Sequence, residues 1–317
     1  MSKQKSSAPM RTSSKSLGAR IRYYRWFYVM ALPVLILVCL FNYLPMLGIR
    51  YAFYDYKPIG TPKFVGFKHF ETIFAKEAFW SAFFNTLQIS VTKLLLTTLL
   101  AVVVSLMLNE MRNIYAKKTF QTIIYLPHFL SWVVAASVFS LILSPSDSGL
   151  VNAFLKQIGV IETGEEIYFL ASKQWWRLMY YIIDVWKDTG WGTILYLATL
   201  AGISPDLYEA AEMDGANRWQ QLRFITLPAL YNTIITVLIL NLAKVLNLFE
   251  PVFVLYNEAV YDVADVLQTY IYRQTFGVGV PNYGYTTAVG LFKSLVACML
   301  VLACNYASKK VRGRGIV

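Results

Sequence analysis

Six charged side chains lie inside long apolar stretches of this sequence: Lys93, Asp184, Lys187, Asp188, Lys244 and Lys293. A charge near the centre of a membrane-spanning helix costs roughly 2.5–3.5 kcal/mol unless it faces a partner or water. Asp184 and Lys187 are three residues apart and can pair on one helix face. Lys187 and Asp188 are adjacent, and we expect that they cannot face each other. The chemistry that these residues offer is therefore ion pairing and the hydration of a polar passage.

Two interpretations of these charges stay open. In the first, they line a water-filled pathway together with Asn247. In the second, they form structural ion pairs, and the lysines extend along the helix to reach the membrane surface. Lys93 lies near one end of its apolar stretch and suits either interpretation. Lys187 and Lys244 lie nearer the middle and favour the pathway.

The sequence contains no motif for catalysis. It has neither a glycine-rich phosphate loop followed by Lys-Ser/Thr nor a nucleophilic serine elbow, and no helix carries a zinc-binding pair of histidines. The three cysteines lack the paired spacing of a metal site or a disulfide framework. We therefore expect a protein that is not an enzyme and that binds neither a metal nor a cofactor itself.

The composition is that of an integral membrane protein. Hydrophobic residues make up 57% of the chain and charged residues only 15%, whereas soluble domains have roughly 25% charged residues. A transmembrane helix needs about 20 predominantly apolar residues. The segments that meet this length are 27–48, 84–109, 120–144, 176–202, 229–250 and 284–307. The sequence thus predicts an all-α integral membrane protein with six transmembrane helices in a lipid bilayer.

Lysine and arginine mark one side of the membrane. With the N-terminus in the cytoplasm, the cytoplasmic segments hold twice as many of them as the external segments. This predicts N-in and C-in topology, and it accounts for the net charge of +11 without nucleic acid as a partner. The predicted organisation is a basic cytoplasmic tail over 1–25, a transmembrane domain over 26–307 and a basic C-terminus over 308–317. The cytoplasmic loop between helices four and five covers 203–228.

A polar island, Glu209–Pro228, fills most of that loop. Ser204, followed by proline and aspartate, is a good N-cap for a helix. Gly215 interrupts this helix, and Asn217 can cap a second short helix that we expect to end before Pro228. The island is therefore predicted to form two short helices bent at a glycine, on the cytoplasmic side.

The island also resembles a known signature. Its pattern is Glu-Ala-Ala, three residues, Gly, nine residues, Ile, one residue and Leu-Pro, formed here by Glu209, Ala210, Ala211, Gly215, Ile225, Leu227 and Pro228. This is similar to the cytoplasmic signature of permease subunits of binding-protein-dependent ABC importers. Further stretches, including NTLQIS at Asn85 and VWKDTGWGTILYLA at Val185, resemble the subgroup that imports complex oligosaccharides. That subgroup is similar to the maltose-type permeases, and several members are associated with uronate-containing fragments.

The resemblance implies a type I permease fold in a bacterial inner (plasma) membrane, with a cytoplasmic coupling helix. It implies a heterodimer with a second homologous permease and two ATP-binding subunits below, which use ATP and Mg. An extracytoplasmic solute-binding protein would deliver the oligosaccharide, and transport would proceed by alternating access. The residues implied to contact the ATPase are Glu209, Ala210, Ala211, Asp214, Gly215, Arg218 and Pro228.

The lysines within the membrane favour an acidic, uronate-containing oligosaccharide over a neutral one. Lys244 is not expected at its position in this family, and its role stays open. Two alternatives belong to other classes of protein. A six-helix channel or secondary transporter without an ATPase leaves the island unexplained. A membrane scaffold that transports nothing leaves the intramembrane charges unexplained.

Overall fold

The computed structural model describes residue 18 and residues 22–312, except 147 and 278. Most of the predicted basic tail over 1–25, and the end of the predicted C-terminal tail over 313–317, lie outside the described residues. The α-helices, in chain order, are α1 (Arg25–Val38), α2 (Leu44–Met46), α3 (Lys68–Ala75), α4 (Glu77–Glu110), α5 (Ile114–Tyr125), α6 (Trp132–Ile142), α7 (Leu150–Gln157), α8 (Trp176–Ala201), α9 (Pro205–Met213), α10 (Arg218–Gln221), α11 (Leu227–Leu242), α12 (Glu250–Leu255), α13 (Tyr261–Ala264), α14 (Leu267–Phe276) and α15 (Tyr283–Arg312).

Short pieces of other helix types join some of these α-helices. The 3₁₀-helices are Leu47–Phe53, Leu126–Phe129 and Glu258–Val260, and the π-helical turns are Cys39–Tyr43 and Leu222–Thr226. A two-stranded antiparallel sheet pairs β1 (Tyr54–Asp55) with β2 (Lys63–Phe64). The predicted all-α class is therefore correct except for this hairpin.

The chain divides into two units, Met1–Arg50 and Tyr51–Val317. The first unit contains α1 and α2, whose apolar side chains are exposed along the helix. A π-helical turn ends two residues before Pro45. Proline has no N–H, and its ring clashes with the carbonyl four residues back, so the wider turn lets the helix continue past it.

The second unit is built around the contact between α4 and α8, which pack along much of their lengths. Gly190 and Gly192 on α8 permit close approach. A Cβ atom on Gly190 would overlap the backbone carbonyl of Ile124 on α5, and one on Gly192 would lie 3.1 Å from the Cβ atom of Ala101 on α4. Both glycines have ordinary helical backbone, so space, and not conformation, requires them. They fix α5 and α4 against α8.

Among the described residues, four helical stretches are long and apolar enough to cross a membrane, and the bent pair α5–α6 would be a fifth. These correspond to five of the six predicted segments. The predicted fourth segment, 176–202, is the continuous helix α8, which carries the charged side chains of Asp184, Lys187 and Asp188. The side chains of Asp184 and Lys187 are buried, and that of Asp188 is half-buried. This burial suits a helix that crosses the membrane in the protein interior.

The predicted third segment, 120–144, is not one continuous helix. Its two halves meet at an angle of 101°. Pro127 lies at the start of the 3₁₀-helix Leu126–Phe129, and Leu130 then adopts extended backbone with ψ 140°. The Ser131 side chain accepts a hydrogen bond from Val134 N and caps α6. The apolar run continues from 120 to 144 through the bend, so its length and hydropathy gave no sign of the bend.

The prediction that the fifth helix extends to 250 is also wrong. The helix ends at Leu242, and residues 243–249 form a turn in which Lys244 N bonds Asn241 O and Asn247 N bonds Lys244 O. Lys244 therefore lies just beyond a helix end, not near a helix middle. Apolar side chains within the turn, such as Leu248, are buried in the core. The hydrophobic pattern thus continues through backbone that is no longer helical.

The island Glu209–Pro228 begins as predicted and ends differently. Ser204 caps α9, Gly215 follows it with φ +79°, and Asn217 forms a capping box with Gln220 at the start of α10. The second helix does not stop before Pro228. A π-helical turn again precedes the proline and carries α10 directly into α11.

Candidate functional site

A cavity of about 480 Å³ lies between α4, α8, the bend before α6 and the end of α11. Ligand-binding cavities commonly have volumes of roughly 300–1,000 Å³. The polar and aromatic side chains that line it are Ser90, Lys93, Thr97, Thr98, His128, Asp188, Trp191, Tyr196, Asn241, Lys244 and Asn247. Donors, acceptors and ring faces are thus presented together inside an otherwise apolar bundle.

Both irregular segments of the bundle contribute to this cavity. His128 belongs to the bend between α5 and α6, and Lys244 and Asn247 belong to the turn after α11. Backbone that is not helical is tolerated at membrane depth only where it is buried in protein or lines a water-filled space. The non-helical backbone at the bend and after α11 is therefore accounted for by its position in the cavity wall.

The His128 ring is fixed from two directions. Its Nδ1 lies 3.0 Å from Asp188 Oδ1, and its face is stacked on Trp191, with ring centroids 4.6 Å apart and planes 9° from parallel. The Trp191 side chain is itself 51% exposed. The site therefore presents a flat aromatic surface whose orientation is set by its neighbours.

Lys187 lies behind the cavity and is not one of its lining residues. Its side chain is buried, and its Nζ donates a hydrogen bond of 2.9 Å to His128 O. Nζ also lies 4.0 Å from Asp188 Oδ1, so the expectation that these adjacent residues cannot face each other is wrong. The flexible lysine stem folds back toward its neighbour, which helix-face geometry alone does not allow for.

Asp184 pairs with another helix. Lys93 Nζ on α4 lies 2.6 Å from Asp184 Oδ1, in place of the predicted pairing with Lys187. The Asp184 side chain is 1% exposed, and apart from the Lys93 ammonium no described residue donates a hydrogen bond to its oxygens. The ion pair joins α4 to α8 and compensates the buried carboxylate.

Lys244 is exposed, and no carboxylate or hydrogen-bond acceptor within the described parts of the chain meets its ammonium group. Nearby, Lys293 Nζ on α15 donates a hydrogen bond of 2.9 Å to Asn247 Oδ1. Lys93, by contrast, is paired with Asp184, and Asp188 Oδ1 lies 3.0 Å from Nδ1 of His128. Lys244 is therefore the lining cation left available for an anion.

The structure thus brings Lys93, Asp188, Lys244 and Asn247 to one cavity and places Lys293 against Asn247. It sets Asp184 and Lys187 behind the cavity wall. Sequence reasoning missed His128 and Trp191, because a lone histidine after a proline and a tryptophan in an apolar stretch have no distinctive spacing. The only available signal was the nearby glycine pair that flanks Trp191.

The N-terminal parts of α4 and α8 are held by a polar cluster. Arg177 donates hydrogen bonds to Asn85 Oδ1 and Val263 O, and Asn85 donates to Asp265 O. Burial raises the pKa of Asp265, while the Thr269 hydroxyl and the Arg273 guanidinium oppose that shift. This cluster ties the segment before α14 to α4 and α8.

The helix–glycine–helix island is largely exposed. Glu209, Ala210, Asp214 and Gly215 are exposed, and Ala211 is half-buried. A Tyr208–Thr226 hydroxyl contact of 3.0 Å holds α9 against the π-helical turn. Arg218 forms an exposed ion pair of 3.6 Å with Glu110 at the end of α4. The island is thus attached to both α4 and α11 while its outer face is open to a partner.

Comparison with known proteins identifies the class. Residues 98–313 match the family described as binding-protein-dependent transport system inner membrane component, and the chain belongs to this family. It is therefore a permease subunit of an ABC transport system in the bacterial inner membrane, a transport component and not an enzyme. The predicted family, location and non-enzymatic class are confirmed.

Similar proteins have more specific descriptions. The chain is 40% identical over 306 residues, 95% of this chain and 93% of the relative, to the polygalacturonan/rhamnogalacturonan transport system permease protein YteP of Bacillus subtilis (strain 168). It is similar, with a TM-score of 0.85 and 37% identity over 94% of this chain and all of the other, to a chain of a bacterial ABC transporter involved in the import of the acidic polysaccharide alginate. A chain of the bacterial alginate ABC transporter in complex with an alginate pentasaccharide-bound periplasmic protein gives a TM-score of 0.86, at 37% identity over 95% of this chain and 100% of the other.

Proposed function

We propose that this permease subunit imports acidic, uronate-containing oligosaccharides by alternating access. The observation that carries the proposal is the exposed ammonium of Lys244 in the cavity, beside the Asn247–Lys293 hydrogen bond. An unpaired cation in a ligand-sized cavity favours an anionic ligand. The relatives described as transporting polygalacturonan, rhamnogalacturonan and alginate support the same substrate class.

The aromatic surface of Trp191 suits a sugar ring. Aromatic faces pack against apolar C–H surface, and the hydroxyl groups of a sugar need the donors and acceptors of Ser90, Thr97 and Asn241 around the cavity. A uronate unit combines a ring for Trp191 with a carboxylate for Lys244. The cavity thus offers complementary groups for both parts of one sugar unit.

ATP-driven coupling is assigned to the exposed island. In this proposal Glu209, Ala210, Ala211, Asp214 and Gly215 sit in a groove of an ATP-binding subunit, with Arg218 and Pro228 at the transition to α11. Because α10 continues into α11 without a break, rotation of the island would be transmitted directly to the helix whose end forms the cavity. ATP and Mg would be used by the partner, and not by this chain.

The assembly follows from the same proposal. The chain would cross the membrane six times, with α5–α6 as a bent third span and α8 as the fourth, and both termini in the cytoplasm. The organisation stays as predicted: a tail over 1–25, a transmembrane domain over 26–307 and a tail over 308–317. The partners are a second homologous permease, two ATP-binding subunits and an extracytoplasmic solute-binding protein, and no nucleic acid. The bacterial alginate transporter in complex with its periplasmic protein supports the solute-binding protein as a partner.

Uptake by the reconstituted transporter tests the proposal. Trigalacturonate and its fully methyl-esterified form have the same rings but differ in charge. We expect ATP-dependent uptake of the acid form, delivered by the solute-binding protein, and little uptake of the neutral ester. Equal uptake of the two would contradict the acidic substrate, and uptake without any ATP-binding subunit would favour the channel or secondary transporter instead.

A further inference from the structure

The Lys93–Asp184 ion pair joins a side chain that lines the cavity to one that is sealed behind it. The Lys93 side chain is 25% exposed, and that of Asp184 is 1% exposed. Apart from the Lys93 ammonium group, no described residue donates a hydrogen bond to a carboxylate oxygen of Asp184. The ammonium of Lys93 therefore has two possible partners, a fixed carboxylate behind the wall and any anion that enters the cavity.

A second lysine lies on the same helix face as this carboxylate. Lys187 follows Asp184 by three residues on α8, so the two share a helix face. The Nζ atoms of Lys93 and Lys187 lie 5.9 Å and 5.4 Å from the ring centroid of Trp132, so both are near one indole. Lys187 donates its hydrogen bond to the neutral His128 carbonyl, and a change of rotamer would turn it toward Asp184.

We propose that Lys93 is a substrate-binding cation held in reserve by Asp184. When a sugar carboxylate enters the cavity, Lys93 turns to it, and Lys187 takes over the charge of Asp184. The inference rests on the proposed acidic substrate. Lys187 then neutralises Asp184 behind the cavity wall, and Lys93 neutralises the sugar carboxylate in the cavity, so no buried charge is left uncompensated.

This exchange has a mechanical consequence. Lys187 releases the His128 carbonyl when it moves, and that hydrogen bond joins α8 to the bend between α5 and α6. Binding of an acidic sugar would therefore break the hydrogen bond between α8 and the bend, whereas binding of a neutral sugar would leave that bond intact. Asp184 acts here as a positioning residue that determines specificity through Lys93.

Direct binding to the complete transporter tests the inference. Equilibrium dialysis without nucleotide would use radiolabelled trigalacturonate and its methyl ester. Asp184→Asn leaves Lys93 permanently available, and we expect about tenfold tighter binding of the acid form, the equivalent of one charge-assisted hydrogen bond. Binding of the ester should not change. Unchanged or weaker binding of the acid form would overturn the proposal.

Lys187→Met provides the second arm, and it keeps the Lys93–Asp184 pair intact. We expect weaker binding of the acid form alone, although Lys187 does not line the cavity. In the Asp184→Asn background the same lysine substitution should have no effect. A purely structural Lys187 would weaken both ligands in both backgrounds, which would contradict the exchange. If Asp184→Asn does not reach the membrane, the comparison of acid and ester binding by Lys187→Met alone decides between the exchange and a structural role. The exposed Lys118→Met is the control.

The two proposals fail in different ways. If the wild-type transporter binds acid and ester equally, the acidic substrate itself is wrong. If the wild type prefers the acid but Asp184→Asn and Lys187→Met leave that preference unchanged, the exchange is wrong and the proposed function stands.

Discussion

Lys187 Nζ donates a hydrogen bond to the backbone carbonyl oxygen of His128, and so connects α8 to the bend between α5 and α6. At a bend of 101°, backbone carbonyls lose their helical partners, and a buried lysine can supply the missing donor. The same bend directs the His128 ring toward Asp188 and Trp191. One side chain that lies outside the cavity therefore helps to shape its wall.

Gly190 sets the distance between α5 and α8. Because a Cβ atom there would overlap Ile124 O, Gly190→Ala should force the helices apart and destabilise the protein by about 1–3 kcal/mol. The loss is measurable as a lower unfolding temperature of the purified transporter in detergent. Gly290→Ala is the matched control, because Gly290 is also helical and has open space around it. An equal effect of the two substitutions would show that close approach is not the reason.

Lys244 should determine charge preference. Lys244→Met removes the lining cation that no described carboxylate neutralises, so uptake of trigalacturonate should fall about tenfold, as for one lost charge-assisted contact. Uptake of the methyl ester should not change. The exposed Lys63→Met, outside the cavity, serves as the control. A similar loss for both sugars would indicate a structural role for Lys244.

Trp191 should contribute to affinity without regard to charge. Trp191→Ala removes the exposed ring that stacks on His128, and the KM for acid and ester uptake should rise together, by roughly fivefold for about 1 kcal/mol of stacking. Trp191→Phe should restore most of it. Trp186 is a control on the same helix, since it packs against Phe139 and does not line the cavity. If Trp186→Ala raises KM equally, the effect comes from the helix as a whole.

Gly215 should be required for coupling. Its φ of +79° strains most side chains by about 1–2 kcal/mol, but asparagine tolerates this conformation. Gly215→Val should therefore leave the permease in the membrane and reduce substrate-stimulated ATP hydrolysis, while Gly215→Asn should remain near wild type. Copurification of the ATP-binding subunits would show whether assembly or only signalling is lost. Normal ATP turnover in Gly215→Val would remove the island from the coupling path.

Glu209 tests the outer face of the island separately. Glu209 is exposed, and no described residue pairs with it, so Glu209→Lys should have little effect on folding of the permease. A reversed charge at a partner surface should nevertheless weaken association with the ATP-binding subunits. Glu212→Lys, also exposed and on the same helix, is the comparison. Equal copurification from both variants and from wild type would place the contact elsewhere.

The preferences of individual residues were sufficient to predict the parts of the fold that depend only on neighbouring positions in the sequence. The cap at Ser204, the break at Gly215 and the cap at Asn217 follow from the conformational preferences of those residues and agree with the structure. Apolar runs of sufficient length located five of the six predicted segments among the described residues, although not all of their ends. The signature of the island, with Glu209 at its start, pointed to the family that comparison confirmed.

The bends and the charge pairs depended on tertiary structure. The helix continues past Pro228 because a π-helical turn makes room for the proline ring, whereas the chain bends near Pro127. The local sequence around each proline does not show which of the two outcomes occurs. Pairing of Asp184 with Lys93 joins two helices, so its range lies beyond any spacing rule for one helix. The sequence by itself determined that charges enter the membrane. Only packing decided which of them are neutralised and which, as at Lys244, remain open to a ligand.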